Sequence, residues 1–367
     1  MLIETVTEVR QVSKRGQSFA ATSRQGRLAL RLSGKFSEAD RKLFAFLKAS
    51  KNPSLSRVHE FGEFKGKCYV LSEWVQGVSV AACGKVPVRQ ALGILRSATE
   101  GLAALYAEGL FHGDISPSNL VVSTSRVAWI DLGLASGIGT AFYAAPERFG
   151  GERPSARSEL FSLGMLLHKM VAGTLPNEGM DFEGVAAFAL KIDSWNPLTD
   201  LFASGEVPPE GLYALEKIWK GTLRANPADR FEDFDELFEN LEIAEDELGS
   251  QASEVAAQAF REKLAKAVEE NEIFLRALTP EKFGGREVPR RLYFIAVGVL
   301  LVCILTAIIK MGSASEPTLE ETGRKMLIES RAGASDGSEL QARPGVSDQV
   351  LQALPVPEGA QRQPYDE

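Results

Sequence analysis

Apolar and polar positions alternate along the first 80 residues and take up a helical period from residue 88 onward. The segments 6–12 (VTEVRQV), 18–23 (SFAATS), 27–33 (RLALRLS) and 67–75 (KCYVLSEWV) read as strands, with Gly16, Gly26, Gly34 and Gly66 near the turns. One helical stretch interrupts them, SEADRKLFAFLKAS over 37–50, with Ser37 at its N-cap. Helices are predicted over 88–109, 158–173, 210–223 and 231–248. Strands first and helices later predict an α+β, two-lobed domain over 1–250, with a β-rich N-lobe to about 76 and a helical C-lobe from about 77.

The pattern changes twice more. In ASEVAAQAFREKLAKAVEENEIFLRAL, Ala256, Phe260, Leu264, Ala267 and Leu275 fall at approximate helical spacing between charged residues, predicting an amphipathic helix packed on the domain or self-associating. Residues 292–309, LYFIAVGVLLVCILTAII, form 18 consecutive uncharged positions. As a helix they measure roughly 27 Å, close to the ~30 Å hydrocarbon core of a bilayer. A single transmembrane α-helix is therefore expected, preceded by a juxtamembrane helix and basic linker over 251–291. Lys282, Arg286, Arg290 and Arg291 lie just before it, which places the N-terminal domain in the cytoplasm and the tail on the external or periplasmic side of a plasma (inner) membrane. The start, MLIETVTEVRQ, has no apolar run of the signal-peptide kind, so the span itself is expected to direct insertion. The tail over 310–367 is rich in Gly, Ser, Pro, Glu and Gln, and is expected to be disordered.

The mean hydropathy of −0.07 and the net charge of −8 average over these unlike parts. Residues 1–280 carry 31 bases against 37 acids, 281–310 carry 5 against 2, and 311–367 carry 5 against 10. This balance argues against nucleic acid as a partner. Three cysteines and three histidines are too few and too scattered for a disulfide framework or a zinc site.

Candidate chemistry concentrates in HGDISPSNLVV (112–122) and WIDLGLA (129–135). Asp114 and Asn119 stand five apart on an expected loop, and Asp131 follows an apolar strand. An Asp and an Asn offer hard oxygen ligands suited to Mg²⁺ with bound phosphates, and a second Asp can take the proton of a hydroxyl. Taken singly, each motif reads equally well as a capping Asp or a turn Asn. Together, and in this order, they are the minimal equipment for phosphoryl transfer.

These residues resemble a eukaryotic-type protein kinase domain of the bacterial Ser/Thr kind, over roughly 5–245. HGDISPSN stands where the family has HRDxxxxN, and Asp131-Leu132-Gly133 where it has DFG. GTAFYAAPE (139–147) resembles the GTxxYxAPE segment, SELFSLG (158–164) the SDxxSLG stretch, and NPADR (226–230) the late DPxxR element. The resemblance implies a two-lobed kinase fold, ATP and Mg²⁺ as cofactors, Asp114 as base, and Asn119 and Asp131 as metal ligands. It also implies an Arg230–Glu147 ion pair. Backbone groups of Glu73 and Val75 would bond adenine beside a small gatekeeper, Ser72, and Ala29 and Val121 would sandwich the ring. HGD also resembles small-molecule phosphotransferases, which lack the APE segment and its Arg.

Several positions depart from the family. SKRGQS (13–18) replaces the Gly-rich loop, leaving Lys14 and Arg15 to supply charge. Arg31 replaces the VAIK lysine, and its acidic partner is expected at Asp40, with Glu38 second. Gly113 replaces the HRD arginine, and only 17 residues run from Asp131 to Glu147, so no activation-loop phosphorylation is expected to be needed. Ser116 replaces a lysine that steadies the transferring phosphate, a loss of about 2.7–4 kcal/mol by analogy with one oxyanion donor. The expectation is a slow, membrane-anchored Ser/Thr protein kinase in signalling, with a pseudokinase scaffold as the alternative and a small-molecule phosphotransferase as the third. The expected partner is a cytoplasmic protein, and homodimerisation is allowed.

Overall fold

In the computed structural model, the described residues are 1–12, 18–24, 26–33, 35–132, 138–196, 207–248, 254–278 and 281–282. A 3-10 turn (Leu2–Thr5) leads into β1 (Glu8–Gln11), β2 (Ser18–Ser23), β3 (Gly26–Ser33), α1 (Glu38–Ala49), β4 (Val58–Phe64) and β5 (Lys67–Glu73). Then follow β6 (Val78–Ser79), α2 (Val80–Cys83), α3 (Val88–Tyr106), β7 (Leu120–Val122) and β8 (Val127–Trp129). The rest of the domain is α4 (Pro146–Phe149), α5 (Ala156–Ala172), α6 (Phe182–Leu190), α7 (Pro209–Thr222), α8 (Phe234–Glu247), α9 (Glu254–Ala277) and β9 (Glu281–Lys282).

The N-terminal strands form one antiparallel sheet in the order β4-β5-β3-β2-β1-β9. Period-2 alternation sorts their side chains. Leu28 and Leu30 of β3 and Tyr69 and Leu71 of β5 close on Ile3, Val6 and Val9 as a small outer core. Residues of opposite parity, Val70 among them, belong with Phe44 and Leu47 of α1 to the large core. α1 starts as expected at Ser37, whose hydroxyl accepts from the Asp40 amide. β4 escaped the sequence pattern because a bulge between Val58 and Glu60 breaks its alternation.

The helical lobe is built on α5, which is buried on nearly every face and packs against α3 and α7. β6, β7 and β8 form a second, small sheet beside the segment that joins the lobes. Trp129 ties the lobes there: its indole N–H donates to Ala98 O at 2.8 Å, its amide to Ser54 O, and its carbonyl accepts from the Ser56 amide.

Among the described residues, no helix is long and apolar enough to cross a membrane. The expected span over 292–309, the tail over 310–367, Lys14 and Arg15 all lie outside the described residues. The amphipathic helix expected before the span is α9, and it packs on the domain. Its buried face includes Ala257, Phe260, Leu264 and Leu275, so Ala257 takes the place expected of Ala256.

Candidate functional site

Asp114 and Asn119 lie on the loop between α3 and β7, and Asp131 follows β8. Strand pairing brings them together. β7 and β8 are antiparallel neighbours, and just beyond them the Ile130 amide donates to Asn119 O at 2.9 Å, so Asp131 leaves its strand beside the Asn119 backbone. Asp131 itself has φ +59°, a left-handed conformation that turns the chain out of the strand.

Within the loop, Asn119 Nδ2 donates to Asp114 O at 2.9 Å and to Asp114 Oδ2 at 3.0 Å. Thr140 approaches from the other side, its amide and its hydroxyl each donating to Asp114 Oδ1 at 2.7 Å. Gly139 makes that approach possible. At φ +74° a Cβ would lie 2.7 Å from Gly113 O and 3.0 Å from Asp114 Oδ1. A carboxylate oxygen has about two lone pairs to offer. Both on Oδ1 are used, whereas Oδ2 accepts one bond and keeps room for a second.

Buried polar groups support the loop from behind. Glu159 of α5 accepts the Gly113 amide at 2.9 Å through Oε1, while Oε2 is buried without a hydrogen-bond partner. Burial pushes its carboxyl up to about 7, against the lowering effect of the backbone amides and Arg148. His112 is buried edge-on against Trp129, ring centroids 4.9 Å apart, and burial pulls its imidazole below the usual range despite the opposing charge of Asp114. Ser116 is buried, so it brings no polar group forward in place of the family lysine.

Arg31 stands on β3 between Ser18 and Val70 in the strand register. Its partner is Asp131, with Nη1 to Oδ2 at 3.1 Å, not Asp40 as the sequence suggested. Asp40 occupies the third position of α1 and spends its carboxylate on the Ser37 amide and hydroxyl, both at 2.8 Å. A local bond three residues away wins over the tertiary one. The cavity beside Arg31 is lined by Phe44 and Leu47 of α1, with Val70, Ser72, Asp131 and Leu132. The face that α1 turns to Arg31 is therefore apolar.

The remaining candidates split. Val75 and Val121 pack together with Ala128 in a small buried cluster. Ala29 lies opposite Ser72 in the β3–β5 register. Glu73 ends β5, its amide bonded to Arg57 O at 2.8 Å. Its carboxylate is clamped by Arg126, a residue the sequence did not single out, whose guanidinium also donates to Pro53 O and Leu55 O. Burial works to raise the Glu73 carboxyl, but the hydrogen bonds from Arg126 and the Arg57 amide hold it below its usual range. Glu147 and Arg230 meet as expected, at 2.6 and 2.8 Å.

Asn119 turns its amide nitrogen toward Asp114, which leaves its carboxamide oxygen for a cation, and Asp131 adds a carboxylate. Two hard oxygens fit a Mg²⁺ whose other ligands come from phosphates and water. No group of three or more His, Cys, Asp or Glu among the described residues offers an all-protein metal cage.

A profile of the protein kinase domain matches residues 36–238, beginning just after β3, so Arg31 lies ahead of it. The serine/threonine-protein kinase PknD of Mycobacterium tuberculosis is 29% identical over 196 residues, covering 49% of this chain and 29% of that protein. PknA of Corynebacterium glutamicum is 25% identical over 261 residues, covering 66% and 53%. The chain thus spans about a fifth to a half of the length of the curated relatives it matches. The solved kinase domain of M. tuberculosis PknI aligns with a TM-score of 0.49 at 21% identity, over 66% of this chain and 95% of that one. With the kinase profile matching more than half of its length, the chain belongs to the protein kinase domain family.

Proposed function

We propose that this chain transfers the γ-phosphate of ATP to Ser or Thr hydroxyls of proteins, from a domain held on the cytoplasmic face of the plasma membrane by the span over 292–309. The observation that carries the reading is the Asp114 carboxylate, fixed by Asn119 and Thr140 with Oδ2 left an open lone pair. The substrate hydroxyl donates to that oxygen. As its oxygen bonds to the γ-phosphorus, the bond to the ADP oxygen breaks and the proton passes to Asp114. Asn119 and Asp131 would hold Mg²⁺, which when bound offsets the charge of the phosphates. Arg31 adds a cation on the β3 side, and Glu73 and Val75 present the hinge backbone to adenine.

Two features set the rate and its control. No described lysine stands two residues after Asp114, so turnover is slow, by about 10²–10³-fold on the scale of one lost oxyanion donor. Gly113 offers no guanidinium to a phosphorylated loop, and Thr140 is already bonded to Asp114, so activity does not depend on modification of the activation segment.

One observation favours a second reading. Asp131 is ion-paired to Arg31 beside an apolar α1 face, which suits a pseudokinase that binds partners without catalysis. The test is labelled γ-phosphate transfer by the full chain in detergent or membranes, with Asp131→Asn as control. Labelled protein lost in the control supports the kinase. ATP that raises the melting temperature with no transfer supports the pseudokinase. Labelling of a hydroxylated metabolite with none on protein supports the small-molecule enzyme.

A further inference from the structure

The helix that follows the kinase domain binds both lobes and the segment between them, in order along its length. Its first half belongs to the C-lobe. It packs on α2 and β6, Lys263 Nζ donates to Cys83 O at the end of α2 at 2.7 Å, and Phe260 and Leu264 enter the large core that both lobes share. Two turns later, Asn271 Nδ2 donates to Gly77 O at 3.0 Å, on the connection between β5 and β6. The next residue, Glu272, takes Arg27 Nη1 at 2.8 and 2.9 Å through its two oxygens. Arg27 belongs to β3 of the N-lobe, and its guanidinium lies 5.6 Å from the ring centre of Trp74. Trp74 sits between Glu73 and Val75, the two residues whose backbone faces adenine in the proposed function. Beyond the helix, Leu278 O accepts from Arg10 Nε at 3.1 Å, and β9 adds a strand to β1 through the pairs Val9–Glu281 and Glu8–Lys282.

A 24-residue α-helix is stiff and about 36 Å long. It is anchored to the C-lobe at α2 and β6, and to the N-lobe by an ion pair and a strand. We propose that α9 and β9 form a strap across the hinge, and that Asn271 and Glu272 are positioning residues for the nucleotide site. Glu272 acts through Arg27 on Trp74, and Asn271 acts on the carbonyl of Gly77. This role rests on the nucleotide reading above.

The test uses the full chain in detergent and four variants: Glu272→Arg, Arg27→Glu, the double swap, and Asn271→Ala. Hydrogen exchange is followed at 74–78, at β1 and in α5, and affinity for ADP is measured by calorimetry. Glu272→Arg sets two arginines together on the hinge. Exchange at 74–78 and β1 should rise on the order of threefold to tenfold, with α5 unchanged, and ADP affinity should fall by a similar factor. The double swap should restore both, and Asn271→Ala should reproduce the hinge effect alone. Unchanged hinge exchange in both Glu272→Arg and Asn271→Ala overturns the strap. Faster hinge exchange with undiminished ADP affinity overturns the positioning role. A wild-type chain that binds no ADP overturns the nucleotide reading and the positioning role together. Failure of the inference alone shows instead as normal wild-type binding with an insensitive hinge.

Discussion

Replacing Arg230 by lysine keeps a positive charge in place but removes a fork of five donors, and the structure uses all five. Nη1 and Nη2 meet Glu147 Oε1 and Oε2 at 2.6 and 2.8 Å, Nε meets Arg224 O, and the remaining N–H groups meet Arg157 O and Ala225 O. The guanidinium also lies 5.0 Å from the Phe161 ring centre. A lysine has three donors, so at least two of the five acceptors lose their partner. Each buried acceptor left unpaired costs about 1–3 kcal/mol, which for two sets the expected loss at roughly 2–6 kcal/mol. Glu147→Gln keeps the shape and strands the guanidinium without a counter-ion, for about 3–5 kcal/mol. The control is Glu216–Lys220, an ion pair with the same 2.6 Å separation. There the lysine side chain is 59% exposed, against 0% for Arg230. Lys220→Ala should cost no more than about 0.5 kcal/mol. The assay is urea unfolding of the full chain followed by the fluorescence of buried Trp129 and Trp219. A loss of roughly 2–6 kcal/mol is a large part of the ~5–15 kcal/mol that a domain has, so the midpoint should move by on the order of 1–2 M. If Arg230→Lys unfolds within about 1 kcal/mol of the wild type, the claim that donor count and burial outweigh separation is wrong.

Two further expectations concern the catalytic loop. Glu159 holds its proton more tightly in the folded chain, at about 7, than at its ordinary value of 4.5. Its stabilising contribution is therefore complete below pH 4.5 and lost as the pH rises through 7, a difference on the order of 3 kcal/mol by pH 8. Glu159→Gln still accepts the Gly113 amide but cannot ionise, so its stability relative to the wild type should grow between pH 4.5 and 8. A difference that stays flat with pH refutes the burial of an ionising carboxyl there. Thr140→Val keeps the backbone donor to Asp114 Oδ1 and loses the hydroxyl, at a cost of about 1 kcal/mol in stability. Phosphate transfer should slow by about tenfold with ADP affinity unchanged, and weaker ADP binding instead would place Thr140 in the nucleotide site.

What the sequence made legible is what local physics decides. Residues 27–33 read as a strand because Leu28 and Leu30 alternate with Ala29 and Arg31 at period 2, and the two leucines share one core in β3. The spacing of Asp114 and Asn119 fits one loop because the bonds between them close within five residues. Partner choice across the fold was less legible. Arg31 offered two acids on one nearby helix, and the structure passed over both for Asp131, 100 residues away. A signal was present: an acid three residues after an N-cap serine reads as a capping box, and a carboxylate already bonded to Ser37 is not available to an arginine. No comparable signal announces Arg126 with Glu73, or Arg27 with Glu272, since partly buried charged residues carry no period. The same holds for β9, two residues long and paired to β1 from more than 270 positions away. Contacts of this kind join the lobes, so the part of the molecule that governs the hinge is the part a sequence pattern describes least.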